Sequence, residues 1–300
     1  MASRSSAPRD SPPNATGWLD EIDLAPDSGP LAMRTRALGD RPWLVIDDRR
    51  GSEVSLKAEL CALRHNEVFA ALDGTETAGA TVEEMVRQAL RAAAVSPSLR
   101  SARGRDGAAT GHDGIHPLDR AGRITQEDLC LLRRRPDGWH LEAGSVCFPS
   151  RWRLADKIGR HITAVHEPVD GYAERLAGRV DAMFDRLGKR PVWRRNWFVH
   201  PDPALFQPTR PVGGDPVVPV DRVLDQLMLR SERQTIRRVG KQWLVFTIRV
   251  QQATLGRFCS SPDRARAFTR WCRLADPASR RHRGLDDAQS AELERALLDG

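Results

Sequence analysis

Four short stretches of this 300-residue chain are denser in Trp, His, Arg and Pro than a structural sheet needs. The first is Cys147-Phe-Pro-Ser-Arg-Trp152, with Lys157-Ile-Gly behind it. The second is His161-Ile-Thr-Ala-Val-His166-Glu-Pro-Val. The third is Arg194-Arg-Asn196-Trp197. The fourth runs from Leu229 to Arg238, sets Glu232 among Arg230, Arg233, Arg237 and Arg238, and is followed by Phe246-Thr-Ile-Arg249. These residue types ligate metals through imidazole, bind anions through guanidinium and ammonium groups, and bind cations through aromatic faces or a carboxylate. Each stretch alone also has a plain structural explanation. A Pro after an aromatic ends a strand, His166 before Glu-Pro serves as a hydrogen-bonded core histidine, and alternating arginines make the solvated face of a strand. Asn196 and Trp197 cap and pack.

The elements that must position these residues follow from period and turn signals. Asp128-Leu-Cys-Leu-Leu-Arg and Trp139 to Phe148 form two strands joined by the Arg135-Pro-Asp-Gly turn. Gly171 to Leu187 carries Leu176, Val180, Met183, Phe184 and Leu187 at helical spacing and ends at Gly188. Val192 to Val199, most of Leu227 to Val239, and Trp243 to Val250 are strands. Leu56 to Phe69 reads as a helix, and a second helix starts from a capping box at Thr81 and Glu84 and runs to about Ala94. Two helices, Pro262 to Leu274 and Asp286 to Leu298, close the chain. Hairpins and one helical crossover give an antiparallel sheet backed by helices, an α+β fold.

Residues 1–30 are rich in Ser, Pro, Gly and Asp and are expected to be a disordered tail. Residues 31–258 form the main domain and 259–300 the C-terminal helices. Within the main domain, 96–123 is expected to be a long loop or insertion, with five glycines and the lone His112 and His116. The chain shows neither a secretory leader nor an apolar run of membrane-spanning length, so a cytoplasmic protein is expected. Five scattered cysteines without a CxxC pair indicate a reducing compartment and no iron–sulfur cluster. A net charge of +7 invites nucleic acid. The basic residues, however, are interleaved with acids along the whole chain and gathered in no arm, so no nucleic-acid partner is expected. GxGxxG after a strand and Gly-Lys-[Ser/Thr] are both missing, which argues against nucleotide-binding folds.

Taken in order, Phe-Pro-Ser-x-Trp, Lys-x-Gly, His-x-Pro-Val, Gly-Tyr, Arg-x-Asn-Trp, Arg-x-Glu-Arg-Gln-Thr-x-x-Arg and Phe-Thr-Ile-Arg resemble the heme-dependent oxidative N-demethylase family. The resemblance covers about residues 32 to 255 and is strongest from Arg230 to Arg249. One departure is Asp170, which stands where the family has a second proline before Gly171.

The resemblance implies a PAS-like core that binds heme and uses O2 to oxidise a small methylated amine such as dimethylamine, releasing formaldehyde. It also implies electrons from NAD(P)H through a separate flavin and iron–sulfur reductase. With no dinucleotide or cluster motif here, electrons must indeed come from another protein. Within this family reading His166 is the expected axial ligand, with His161 and His140 as alternatives and Cys147 as a remote thiolate candidate. Lys157, Arg194 and Arg237 are the expected partners of the heme propionates. Glu232, Tyr172 and Trp197 are expected at the amine. A PAS-like heme or ligand sensor without turnover is the competing function.

Overall fold

The second half of the chain alternates side chains at a period of two over long apolar and arginine-rich runs, and that pattern makes its strands. The computed structural model describes residues 17–25, 34–95, 114–165 and 177–298. Its strands are β1 (Arg36–Ala37), β2 (Phe69–Ala71), β3 (Asp128–Arg135), β4 (Gly138–Ser145), β5 (Val192–His200), β6 (Met228–Arg238) and β7 (Trp243–Thr254). Its helices are α1 (Arg50–Leu63), α2 (His65–Val68), α3 (Glu76–Val95), α4 (Pro117–Ile124), α5 (Ile162–Val165), α6 (Ala177–Arg186), α7 (Val223–Gln226), α8 (Leu255–Phe258), α9 (Pro262–Leu274), α10 (Pro277–His282) and α11 (Asp287–Leu298). The strands form one antiparallel sheet in the order β1-β5-β6-β7-β3-β4-β2, so the fold is α+β.

Pairing of β5, β6 and β7 assigns every side chain to a face. The front face carries Arg194 and Asn196 of β5, Arg230, Glu232, Gln234 and Ile236 of β6, and Phe246, Ile248 and Val250 of β7. Leu154, Val180 and Phe184 pack over its apolar part. The back face carries Trp193, Arg195 and Trp197, then Arg233, Thr235 and Arg237, then Val245, Thr247 and Arg249. α3, α4 and the Trp43–Leu44 segment cover one half of it. α8, α9, α11 and the 3-10 turn Gly17–Glu21 cover the other.

Several expectations need correction. Gly17–Glu21, expected within a disordered tail, is a 3-10 turn whose Trp18 and Leu19 enter the core beside Trp197. Pro117–Ile124, expected within a long loop, is a helix; Pro117 opens it, His116 Nδ1 accepts from Leu118 N, and Leu118 and Ala121 are buried. Residues 96–113 lie outside the described ones. Thr81 caps nothing, because α3 starts at Glu76 and the Thr81 hydroxyl donates back to Thr77 O inside the helix. α1 starts at Arg50 rather than Leu56, and Phe69 belongs to a strand. A third C-terminal helix, α10, separates the expected two.

The alternating arginines are not a solvated face. Arg230 and Arg249 are fully buried and Arg233 is 3% exposed. Arg249 pairs with Asp47 at 2.8 Å and Glu53 at 2.7 Å. Burial pushes the Glu53 carboxyl up, and Arg249 opposes that shift. Replacing Arg249 with Met should therefore cost about 3–5 kcal/mol in urea unfolding, because two buried carboxylates lose their counter-charge. Arg266→Ala, which breaks the exposed pair with Asp263, should cost less than about 1 kcal/mol. Equal effects of the two would mean that Arg249 carries no buried ion pair.

Candidate functional site

Neighbouring positions of β5 and β6 bring the polar signature residues together on the front face. Arg194 lies opposite Gln234, and Asn196 lies opposite Glu232. Arg194 Nε donates to Gln234 Oε1 at 2.6 Å, and Gln234 Nε2 donates to Glu232 Oε2 at 2.8 Å. Glu232 is 6% exposed. The arginines beside it in sequence point their guanidiniums elsewhere. Arg230 donates to the carbonyls of Phe148, Pro149, Ala204 and Leu205 and to Ser150 Oγ. Arg233 donates to the carbonyls of Pro42 and Trp43. Glu232 thus takes its hydrogen bond from an amide and not from Arg230 or Arg233.

The edge of β5 adds cations that the sequence did not mark. Val199 N donates to Arg283 O at 2.7 Å, which docks the Arg283–Gly284 turn on the strand. Gly284 has φ +84°, and a Cβ there would meet Val199 O at 2.1 Å, so the turn needs glycine. Arg283 donates to Asn196 Oδ1 and to Trp197 O and lies over the Trp197 ring at 4.6 Å. Burial, then Arg194 and Arg34, pull the Arg283 guanidinium down to about 9, against Asp23 and Glu232. Arg34 itself pairs with Asp23. The Arg283 guanidinium thus sits in a locally positive setting at the sheet edge, which favours an anion there. No local composition at Arg283 distinguishes it; only the docked turn brings it here.

Residues 34–291 match the family model described as haem-dependent oxidative N-demethylase, alpha subunit-like. The chain belongs to that family. A search of the curated proteins finds no match.

A heme in an N-demethylase of this family needs apolar faces, cations for two propionates and an axial donor. Ile236, Phe246 and Ile248 on the front face are apolar but packed under core side chains, and Arg194 and Arg283 supply cations at the strand edge, so the residue types, though not an open slot, fit the group. Among the described residues no group of three or more His, Cys, Asp or Glu side chains could hold a metal ion by itself. Of the expected ligands, His166 lies outside the described residues, as does Tyr172. His161 Nδ1 accepts from Thr163 N, and its Nε2 faces Asp181 at 3.5 Å. The His140 ring contacts Gly159 O and Asp137 through its two nitrogens. Cys147 is buried, and its thiol is pushed up by Cys61 and by burial, which opposes a thiolate role. Lys157 is buried after the 3-10 turn Leu154–Asp156.

Trp197 and Arg237 do not join this site. Each is an odd number of residues from its front-face neighbours, so each points to the back. Trp197 is 1% exposed, packs against Phe268 and Trp271, and donates to Asp23 O. Arg237 lies over the Trp43 ring at 5.3 Å.

His200, at the end of β5, is 3% exposed, and its Nδ1 has no partner. It lines a cavity of about 40 Å³ with Arg151, Arg210 and His282, room for water but not for a porphyrin. Burial, then Arg151 and Arg230, lower its pKa from 6.5 to about 4. The unfolded chain therefore binds the extra proton between pH 6.5 and pH 4. The stabilisation is complete above 6.5 and is lost as pH falls through that window, by about 3 kcal/mol in all. His200→Gln should flatten the fall of unfolding free energy across this range. An unchanged slope would show that His200 titrates as an ordinary histidine.

Proposed function

We propose that this N-demethylase family member is a heme-dependent monooxygenase of a small methylated amine, dimethylamine-like, releasing formaldehyde. Electrons come from a separate NAD(P)H reductase with flavin and iron–sulfur centres. The observation that carries the reading is Glu232, a buried carboxylate on the front face whose neighbouring arginines are engaged with backbone carbonyls. A protonated amine needs such a group, and a neutralised one would not serve. Asn196 and Gln234 flank it with amides, and Arg230 and Arg283 feel its charge without donating a hydrogen bond to it.

Arg194 and Arg283 hold the propionates in this reading, and Lys157 is a further candidate. His166 would hold the iron, with Tyr172 a candidate wall of the amine pocket. Heme, when bound, would supply the oxidising chemistry at the N-methyl carbon that ends in loss of formaldehyde. The chain orients the methyl group and excludes bulk water. Gln234 fixes the Glu232 carboxylate through the hydrogen bond from its Nε2, and Arg194 holds Gln234 in turn. The PAS-like description of the core rests on the family resemblance.

The first test is spectral. Purified protein supplied with hemin should show a Soret band that shifts on reduction and with carbon monoxide, and His166→Ala should abolish or weaken it while His65→Ala does not. Hemin-treated, folded protein without a Soret band would end the heme reading. The second test is kinetic. With O2 and a reductase, dimethylamine should yield formaldehyde. Glu232→Gln should raise KM for the amine about 10- to 100-fold, the cost of a charged hydrogen bond, while the Soret band persists. Heme-loaded, reducible protein that forms no formaldehyde from any methylated amine would favour a sensor.

A further inference from the structure

Two cysteines unused by this chemistry stand side by side on different elements. Cys61 lies on α1, and Cys147 lies two residues past the end of β4. Both belong to one buried cluster with Val68 and Phe148, and each thiol is the strongest influence on the other's ionisation. Their access differs. Cys61 lines a cavity of about 330 Å³ with His65, Phe69, His116, Asp119 and Arg123. Cys147, 1% exposed, sits behind it.

The charges around them differ too. Cys147, together with Arg123 and Lys57, draws the Cys61 thiol down from 9.0 to about 7. Cys61 and burial push Cys147 up, so Cys147 keeps its proton. Burial raises Cys130, and it raises Cys259 and Cys272 to about 12. Only a thiolate attacks a disulfide, so one thiol of the five is activated, with a second in contact to resolve it.

We propose that Cys61 and Cys147 form a reversible dithiol–disulfide couple, with Cys61 as the attacking thiol, Cys147 as the resolving thiol and a small-molecule disulfide as oxidant. The Cys61 thiolate attacks one sulfur of the reagent entering from the cavity, forming a mixed disulfide and expelling one small thiolate. Cys147 passes its proton to that thiolate and attacks the Cys61 sulfur, closing the protein disulfide. The second small thiolate leaves and takes a proton from water, replacing the proton that Cys61 lost on ionising. One disulfide is reduced to two thiols, and two protein thiols are oxidised to one disulfide.

The couple is tested on the full-length protein, heme-loaded where heme binds, with 2-hydroxyethyl disulfide followed by acid quench and non-reducing peptide mapping. A single Cys61–Cys147 cross-link, reversed by excess thiol, is expected. Cys147→Ser should stop at a mixed disulfide on Cys61, and Cys61→Ser should leave Cys147 unmodified. Iodoacetamide at pH 7 should label Cys61 at least about tenfold faster than Cys130, Cys259 or Cys272. A mixed disulfide on Cys61 that never closes in the wild-type chain, or first reaction at any other cysteine, would overturn the proposal. Should either variant fail to fold, the wild-type map and labelling rates decide alone.

Discussion

The desolvation of guanidinium groups in the centre of the sheet is the constraint on which the rest depends. A buried arginine brings a charge and five donors, and each needs a partner. Arg230 meets this demand with four carbonyls and one hydroxyl from two separate segments, Phe148 to Ser150 and Ala204 to Leu205. Arg249 uses Asp47 and Glu53, and Arg233 uses Pro42 and Trp43. Arg195 reaches Glu21 at 2.6 Å, and Arg238 holds the carbonyls of Phe184 and Leu187 at the end of α6. The strands thus act as posts to which loops far away in sequence are tied. Removing one guanidinium would free a loop as well as a charge.

This arrangement also decides the electrostatics of the front face. A carboxylate among four arginines would ordinarily be neutralised, yet Arg230 and Arg233 reach toward carbonyls and leave Glu232 to an amide. The cations that remain near it, Arg194 and Arg283, belong to β5 and to a turn docked on its edge. Opposite charges are therefore present on one face but held apart by Asn196 and Gln234. Such a face suits a ligand set with both signs, anionic groups at the edge and a cation farther in.

Much of this was legible in the sequence, and the reasons differ by element. The β3–β4 hairpin was visible from its Pro-Asp-Gly turn, and β5 to β7 from aromatic and branched residues at strand period. The grouping of Arg194, Asn196, Glu232 and Gln234 follows from parity once register is known. The same parity sends Trp197 and Arg237 to the back, a consequence that counting alone gives. Helix α4 was hidden because a glycine-rich run leads into it, and its stability comes from burying Leu118 and Ala121. Trp18 is an aromatic in a polar stretch; its burial beside Trp197 and Trp271 is a tertiary event with no local signal. Arg283 was invisible for the same reason.

The Cys-Phe-Pro-Ser motif illustrates how a stretch that looks chemical can act through its backbone. Cys147 N and Phe148 N both donate to the Asp128 carboxylate at 2.9 Å. Lys57 pairs with that carboxylate at 3.2 Å. The Phe148 and Pro149 carbonyls and the Ser150 hydroxyl then turn to Arg230. Pro149 donates no hydrogen bond and fixes its own φ, which suits a segment whose outward groups are acceptors. Arg151 follows at φ +65° and pairs with Asp215, on the rim of the His200 cavity. From Lys57 to Arg230, cation, carboxylate, peptide and guanidinium alternate through the core, each desolvated group answered by the next. The motif's residue types are therefore selected by the charges that bracket it, and its side chains need not touch a substrate to be required.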